Sequence, residues 1–318
     1  MAQQANHPLP NGFRLEEYVV ERQLSLGGFS IVYLAMDAAG RPVAIKEYLP
    51  NSLALRSEGE TKPNISPEHL AAFRYGMKCF FEEGRALAKL SHPNVVRVLN
   101  FFRANETVYM VMAYEHGRTL QEFIVKHKGH ISERFIRGVF TRLLNGLREV
   151  HTNKLLHLDL KPSNIYLRTD NTPVLIDFGA ARQTLMADQP ILKPMYTPGF
   201  ASPEHYGASG RKDLGPWSDI YSVGATMYAC LAGAPPQPAD TRLDKDELTP
   251  AMVRWEGQYS DHLLEIIDWC LNLNYLYRPQ SVMSLQKTLI TTGHAAATKE
   301  AAPPETWVGR LVDKLRKK

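Results

Sequence analysis

Between Tyr18 and Val111 the chain alternates apolar and polar positions with a period of two, as strands do when they bury one face. Runs such as IVYLAM, VAIKEYL and VYMVMAY are separated by turn residues. One helical segment interrupts them: from about Pro67 to Leu90 the apolar residues recur at helical spacing until SHPN ends the run. This part of the chain therefore predicts a small sheet accompanied by one long helix.

Beyond Met112 the period lengthens to between three and four residues, which indicates helices. The apolar positions that show it are Phe135, Ile136, Val139, Phe140, Leu143, Leu144, Leu147 and Val150. Further helices are predicted near 217–231 and 262–271. The pattern predicts an α+β protein of two unequal lobes, a small one with an antiparallel sheet and one long helix, and a larger, mainly helical one. A ligand is expected in the cleft between them.

The net charge of the chain lies at its end. Its 318 residues include 37 lysines and arginines and 33 aspartates and glutamates, a net charge of +4. The segment from Arg310 to Lys318 holds five basic residues and one aspartate, so the rest of the chain is neutral. A neutral body argues against nucleic acid as a partner.

The cysteines point to a cellular setting. Cys79, Cys230 and Cys270 are odd in number, widely spaced and form no CxxC pair, which argues against a disulfide framework or a zinc site and favours a reducing, cytoplasmic setting. No apolar run approaches the roughly 20 residues that span a bilayer. The first residues lack the basic and apolar parts of a signal peptide. We therefore expect no transmembrane segment.

The last residues have a composition of their own. The stretch GHAAATKEAAPP is typical of a flexible joint. If the segment Trp307–Lys318 is helical, its apolar residues fall on one arc and most basic residues on the other. It would then be a basic amphipathic tail that contacts an anionic membrane surface or a partner protein. Docking on the chain's own larger lobe, or disorder, are the alternatives.

The stretch LLHLDLKPSN, residues 155–164, spaces an aspartate, a lysine and an asparagine two and then three residues apart. Phosphoryl transfer needs a carboxylate for the attacking hydroxyl, cations on the phosphates, oxygen ligands for Mg²⁺ and a cover that excludes water. Asp159 can orient the hydroxyl and Lys161 can neutralise the moving phosphoryl group. Asn164 can bind the metal through its side-chain oxygen.

Asp177 in IDFGAAR supplies a second candidate metal ligand. It follows the short apolar run VLI, and Gly179 gives the backbone the freedom to turn the carboxylate toward a metal. Upstream, Lys46 of VAIK ends a strand, where its amine can pair with the inner phosphates. Glu83 on the long helix can hold that amine extended. This ion pair forms only if the helix is docked.

The turn in LSLGGFSIVY is a candidate phosphate cover. Gly27 and Gly28 allow backbone amides to approach phosphates closely, and Phe29 can fold over the top. Taken alone, GGFS is more typical of a plain hairpin turn. Its neighbours in the chain favour the functional interpretation.

In their order along the chain, VAIK, HLDLKPSN, IDFGAAR and SPE resemble the Hanks-type protein kinases, in their bacterial Ser/Thr branch. The resemblance covers about residues 13–290 and includes SHPN after the long helix and WSDIYSVG behind the catalytic loop. It implies the two-lobed protein kinase fold. The implied divisions are a flexible N-terminus at 1–12, a small lobe at about 13–112, a hinge at 113–117, a large lobe at 118–290, and an Ala/Pro-rich linker with the tail at 291–318.

The resemblance implies an enzyme that transfers the γ-phosphoryl group of ATP to serine or threonine in protein substrates, with Mg²⁺ as cofactor and Mn²⁺ as an alternative ion. Lys161 and Thr197 match positions that are typical of the Ser/Thr class, where the threonine bonds the catalytic aspartate and lysine. Arg278 is placed to pair with Glu204 of SPE. The further ATP-binding positions that the resemblance implies are Val32, Ala44, Met112 as gatekeeper, Ala113 and Glu115.

The chain departs from the family's pattern most clearly at two places, and Tyr196 and Ser202 are milder departures. Leu158 stands where many kinases have an arginine that gathers a phosphate on the activation loop, a contact that leucine cannot make. This predicts a non-RD kinase whose activity does not depend on phosphorylation of Thr184, the only serine or threonine between Asp177 and Tyr196. Ser25 and Ser30 replace two glycines of the phosphate loop, and their Cβ atoms resist positive φ.

Two other classes of protein remain as alternatives. A nucleotide-binding pseudokinase that serves as a scaffold is favoured slightly by the two serines, although every reacting group is present. A small-molecule kinase of related fold is disfavoured, because such enzymes lack the IDFG-to-SPE segment that forms a platform for protein substrates.

Overall fold

Two lobes make up the structure, a computed structural model that describes residues 6–128, 130–178, 196–207 and 213–291. Gly179, Thr184 and the tail Trp307–Lys318 lie outside these ranges, so the expectations for them stay predictions. Within the described residues, no helix is both long enough and apolar enough to cross a bilayer.

The small lobe is built on a six-stranded antiparallel sheet. Its strands are β1 (Arg14–Leu15), β2 (Tyr18–Leu26), β3 (Ser30–Met36), β4 (Pro42–Tyr48), β5 (Val98–Ala104) and β6 (Thr107–Ala113), and they lie side by side in the order β1-β2-β3-β4-β6-β5. β3 alternates buried and half-buried residues, whereas β6, between β4 and β5, is buried up to its last residue. The period-two pattern of the sequence is thus the pattern of a sheet.

The predicted long helix is α1 (Leu70–Leu87), which packs on β5 and β6. Its buried face is formed by Ala72, Phe73, Gly76, Phe80, Gly84 and Leu87, at the spacing expected for one face of a helix. The helix begins three residues later than predicted, because the amide of His69 bonds the carbonyl of Ser66 in a preceding turn.

The large lobe is mainly helical, as predicted. Its helices are α2 (Leu120–His127), α3 (Glu133–Thr152), α4 (Pro216–Ala232), α5 (Ala239–Asp244), α6 (Ala251–Arg254), α7 (Asp261–Cys270) and α8 (Val282–Ile290). A three-stranded sheet of β7 (Gly117–Thr119), β8 (Ile165–Arg168) and β9 (Pro173–Leu175) lies next to the hinge. The predicted helices at 217–231 and 262–271 correspond to α4 and α7.

Helix α4 forms the centre of the large lobe and is buried over nearly its whole length. Pro216 occupies its first turn, and Gly233 ends it in the left-handed conformation with φ 73°. A Cβ at Gly224 would collide with the Cβ of Cys270, so α4 and α7 approach closely there. Burial raises the pKa of the Cys230 and Cys270 thiols, which leaves both unreactive.

The first described residues pack on the outer face of the small-lobe sheet. Asn6 and Leu9 are buried, and the Asn6 side chain donates to the carbonyls of Leu49 and Ala54. The amide of Gly12 donates to the carbonyl of Val20 in β2 at 2.7 Å. Residues 6–12 are therefore held in place, unlike the flexible segment expected for residues 1–12.

Tyr48 joins the candidate phosphate cover at residues 27–30, called the phosphate turn below, to α1 and offers a test of the packing. Its ring contacts Phe29, Phe73 and Phe80, and its hydroxyl is buried without a hydrogen-bond partner. Because an unpaired buried hydroxyl destabilises the folded state, Tyr48→Phe should raise the free energy of unfolding by about 1 kcal/mol. Urea denaturation measures the change. A loss of stability of similar size would contradict the unpaired state of the hydroxyl.

Candidate active site

One face of the small-lobe sheet carries the residues predicted to surround the nucleotide. The register pairs Lys46 with Val32 on β3, and Ala44 with Met112 on β6. Paired residues in an antiparallel sheet share a face, and so do residues two apart on one strand. The side chains of Val32, Ala44, Lys46 and Met112 therefore project together from the sheet.

The hinge leaves β6 at Ala113 and is fixed by an ion pair to the large lobe. Arg168 of β8 donates to both carboxylate oxygens of Glu115 at 2.7 Å, and to the carbonyl of Pro93 at 3.0 Å. The pair holds the pKa of Arg168 above its ordinary value. Since Arg168 binds the Glu115 carboxylate, the backbone of Glu115 is the part left to bind a nucleotide.

Asp159, Lys161 and Thr197 meet in a triangle of hydrogen bonds. Lys161 Nζ lies 3.0 Å from Asp159 Oδ2 and donates to Thr197 Oγ1 at 2.9 Å. Thr197 Oγ1 donates to Asp159 Oδ1 at 3.0 Å. Thr197 lies 38 residues after Asp159, so its approach depends on the tertiary fold. The carboxylate of Asp159 is nearly buried, which strengthens these contacts.

Asn164 connects Asp159 to Asp177. Its Nδ2 donates to the backbone carbonyl of Asp159 at 2.8 Å, to Asp159 Oδ2 at 3.0 Å and to the carbonyl of Asp177 at 3.3 Å. Because these three acceptors surround the nitrogen, the orientation of the side-chain amide is fixed, and its Oδ1 points away from them. An amide oxygen and the partly exposed carboxylate of Asp177 are donors that Mg²⁺ accepts, so the residues fit that ion. The described residues hold no group of three His, Cys, Asp or Glu suited to a metal.

Lys46 forms an ion pair with Asp177 across the cleft. Its Nζ, which is almost fully buried, contacts Asp177 Oδ1 and lies 5.5 Å from the centre of the Phe80 ring. The pair of Lys46 with Glu83 stays a prediction. Glu83 lies on the wall of a cavity of about 320 Å³ between α1 and the large lobe, which Phe178 also lines.

Leu158 has a backbone conformation that is uncommon for its residue type. Its φ is 58°, which costs of order 1–3 kcal/mol for a residue other than glycine. The buried carboxylate of Asp219 compensates, because it accepts from the amides of His157 and Leu158 at 2.9 and 2.8 Å. Although burial opposes it, the hydrogen bond from His151 holds the pKa of Asp219 below its ordinary value. Asp219 thus fixes the shape of the loop that presents Asp159.

Two neighbours of Leu158 complete the support of this loop. The His157 ring stacks on Phe178 with centres 4.4 Å apart, and its Nε2 contacts the carbonyl of Ile176. Burial lowers the pKa of His157, so the ring is neutral at pH 7. The side chain of Leu158 is itself buried beside Tyr196 and Phe200. The leucine side chain is therefore almost fully shielded from solvent.

The candidate phosphate turn differs in one respect from the prediction. Phe29 does not fold over the top of the turn: it packs edge-on against Tyr48 at 5.2 Å. The amide of Gly27 donates to the carbonyl of Ser30 at 3.0 Å, which closes a tight hairpin. Neither Ser25 nor Ser30 has a positive φ, so the two serines fit this turn without backbone strain.

Glu204 and Arg278 form the buried pair that the sequence predicts. Two hydrogen bonds of 2.9 Å join the guanidinium to the two carboxylate oxygens, and Ser218 adds a third donor to Glu204. Arg278 also lies over the Tyr221 ring. The pair connects the segment that carries Thr197 to the rest of the large lobe.

A second buried pair, which the sequence pattern did not predict, lies on the outer face of the small-lobe sheet. Arg56 binds both carboxylate oxygens of Glu47 at 2.6 and 2.7 Å, and neither side chain is exposed. The hydroxyls of Tyr33 and Tyr109 also donate to Glu47. A glutamate at a buried position of a strand was a signal of this cluster, because such a charge needs a partner.

The sequence is similar to those of known proteins. A sequence profile of the protein kinase domain matches residues 18–290. Serine/threonine-protein kinase B of Synechocystis is 29% identical over 88% of this chain and 47% of its own length. Human serine/threonine-protein kinase Nek2 is 35% identical over 65% of this chain and 49% of its own length. The chain thus spans less than half of each relative.

Solved structures show the same fold. The apo form of PpkA-294 superimposes with a TM-score of 0.80 at 33% identity, covering 89% of this chain and 99% of that one. The Mycobacterium tuberculosis PknI kinase domain superimposes with a TM-score of 0.65 at 21% identity, covering 89% and 98%. The two-lobed α+β fold predicted from the sequence is confirmed.

Proposed function

The chain belongs to the protein kinase family, in its bacterial Hanks-type Ser/Thr branch, and from this premise we propose that it transfers the γ-phosphoryl group of ATP to serine or threonine in protein substrates. The observation that carries the proposal is the convergence of Asp159, Lys161 and Thr197 beside Asn164. A carboxylate, a cation and a hydroxyl at hydrogen-bond distance can orient an attacking hydroxyl and neutralise the charge of the moving group.

The residues of the cleft divide the remaining tasks. Lys46 would bind the inner phosphates, and Val32, Ala44 and Met112 would contact the base from the sheet. Asn164 and Asp177 would hold Mg²⁺, with Mn²⁺ as an alternative, and the bound ion would neutralise the phosphate charge. The turn at Gly27 and Gly28 would cover the phosphates, and the hinge at Ala113 and Glu115 would bind through its backbone.

Glu83 would act on Lys46 from α1. It lines the cavity beside Phe178, between α1 and the large lobe. We propose that its carboxylate pairs with Lys46 and holds the amine toward the inner phosphates.

Incorporation of radiolabelled phosphate from ATP tests the proposed activity. Purified protein with Mg²⁺ should label itself or a generic acceptor protein on serine or threonine. A pseudokinase would bind Mg·ATP without any transfer. A small-molecule kinase would label an amino sugar or choline but no protein. The buried ion pair of Glu204 with Arg278, below the Thr197 segment, favours a protein substrate instead.

We further propose that the enzyme is of the non-RD type. The support is the buried side chain of Leu158, beside Tyr196 and Phe200, at the position where an arginine would otherwise meet a phosphate. A leucine side chain has neither a charge nor a hydrogen-bond donor with which to order a phosphorylated segment. Activation-loop phosphorylation then has no receiving group at this position.

Thr184→Ala should leave kcat and KM close to the wild-type values, because Leu158 cannot respond to a phosphate on the threonine. Steady-state kinetics on protein expressed with and without phosphatase treatment measures this. Leu158→Arg serves as a matched variant, since it restores the charge that would make Thr184 matter. Loss of turnover in folded Thr184→Ala protein would refute the non-RD proposal.

A further inference from the structure

The phosphate turn is bonded to a segment outside the cleft, residues 49–56, which follows β4. The amide of Leu49 donates to the carbonyl of Phe29 at 3.1 Å, and the amide of Asn51 donates to the carbonyl of Gly28 at 3.0 Å. The segment thereby extends the pairing of β3 with β4, which ends at Ser30 and Tyr48. The tip of the turn is held from the side opposite to β2.

These two bonds set the direction of the turn's donors. The C=O and N–H of a trans peptide point in opposite directions. Fixing the carbonyls of Gly28 and Phe29 toward the segment therefore points the amides of Phe29 and Ser30 away from it. Amides fixed in advance bind an anion better than amides that must first be ordered.

The side chain of Asn6 holds the segment itself. Its Nδ2 donates to the carbonyls of Leu49 and Ala54 at 3.1 and 3.2 Å, and its Oδ1 accepts from the amide of Arg56 at 2.6 Å. Asn6 is 3% exposed, so water does not compete for these bonds. One amide side chain thus bridges both ends of the segment that holds the turn.

Arg56 anchors the same segment to the sheet. Its guanidinium binds Glu47 and the hydroxyl of Tyr33, and its Nε donates to the carbonyl of His7 at 2.8 Å. Glu47 follows Lys46 along β4 and projects from the opposite face of the sheet. The outer face of the small lobe is therefore bonded continuously from the N-terminal segment to the phosphate turn.

We propose that Asn6 is a positioning residue for nucleotide binding, acting through residues 49–56 on the amides of the phosphate turn. The inference rests on the proposed function, because it assumes that the turn covers the phosphates of ATP. Asn6 itself would make no contact with the nucleotide. Its effect falls on affinity, since Asp159 and Lys161 lie in the other lobe.

Three variants of the full chain test the inference. Asn6→Ala removes all three bonds of the side chain. Asn51→Pro removes the N–H that donates to the carbonyl of Gly28, and the proline ring pushes this carbonyl away. Residue 51 is the second residue of a turn, a position where proline is accepted. Lys62→Ala is the matched control, because Lys62 lies in the same connection between β4 and α1 but only pairs with exposed Glu106.

Asn6→Ala and Asn51→Pro should each raise the KM for ATP and the Kd for Mg·ADP about fivefold or more, a coupling of ordinary size for remote sites. kcat should stay within about twofold, since the transition-state contacts are kept. Lys62→Ala should match the wild type in both constants. Calorimetric titration with Mg·ADP and steady-state kinetics give the values.

The outcomes separate this inference from the proposed function. Wild-type protein that fails to bind Mg·ADP would overturn the proposed function. If the wild type binds and both variants bind equally well, or if their melting temperatures fall while the KM stays unchanged, Asn6 is purely structural and the inference is wrong. A fall in kcat at constant KM would also overturn it.

Discussion

Replacing Asp159 with asparagine should lower kcat for phosphoryl transfer by roughly two to four orders of magnitude, the usual contribution of a positioned acid or base. Asparagine keeps the size of the side chain and can still bond Thr197 and Asn164. The substitution removes the negative charge of Asp159. That charge attracts a hydroxyl proton, and it also pairs with Lys161 at 3.0 Å. The effect should therefore appear in kcat, with nucleotide affinity nearly unchanged.

Single-turnover transfer of labelled phosphate, with Mg·ADP titration in parallel, separates the two quantities. Asp170→Asn is a suitable control, since Asp170 is an exposed aspartate in the turn after β8 that bonds only Thr172. Full transfer by the Asp159→Asn protein would show that this carboxylate does not orient the hydroxyl. The same result would remove the main support for the proposed activity.

The parts of this site that could be predicted from the sequence are those set by local spacing. Asp159, Lys161 and Asn164 lie within six residues, so a single loop brings them together in any fold that forms it. Lys46 shares a face with Ala44 because strand side chains alternate. Neither result depends on how the two lobes pack.

The contacts that could not be predicted from the sequence join residues that lie far apart along the chain. Lys46 is 131 residues from Asp177, and no periodicity shows whether its amine will meet Asp177 or Glu83. Likewise, the left-handed backbone of Leu158 follows from the two amides that Asp219 binds, 61 and 62 residues away.

Residues 6–12 show a different reason for failure. Their sequence, NHPLPNG, has the prolines, glycine and polar residues that are typical of a loose end. Order comes from Asn6 and the carbonyl of His7, which bond the connection between β4 and α1 about 50 residues later. A segment without its own periodicity can still be fixed when buried polar groups elsewhere need its donors and acceptors.

Arg278→Met should lower the free energy of unfolding by about 3–5 kcal/mol, the cost of leaving one partner of a buried ion pair without the other. Glu204 would keep only the hydroxyl of Ser218 as a donor. The carbonyls of Asn272, Leu273 and Trp217 would lose hydrogen bonds at the same time. Methionine fills a similar volume, so the change is electrostatic rather than a cavity.

The double variant Glu204→Gln with Arg278→Met distinguishes a lone buried charge from lost packing. Removing the carboxylate should recover part of the stability, because the uncompensated charge is then gone. Arg41→Met gives the surface reference: Arg41 is an exposed partner of Asp37, and its loss should cost less than about 1 kcal/mol. Urea denaturation of the variants measures all three. If Arg278→Met costs no more than Arg41→Met, the buried pair does not hold the Thr197 segment to the large lobe.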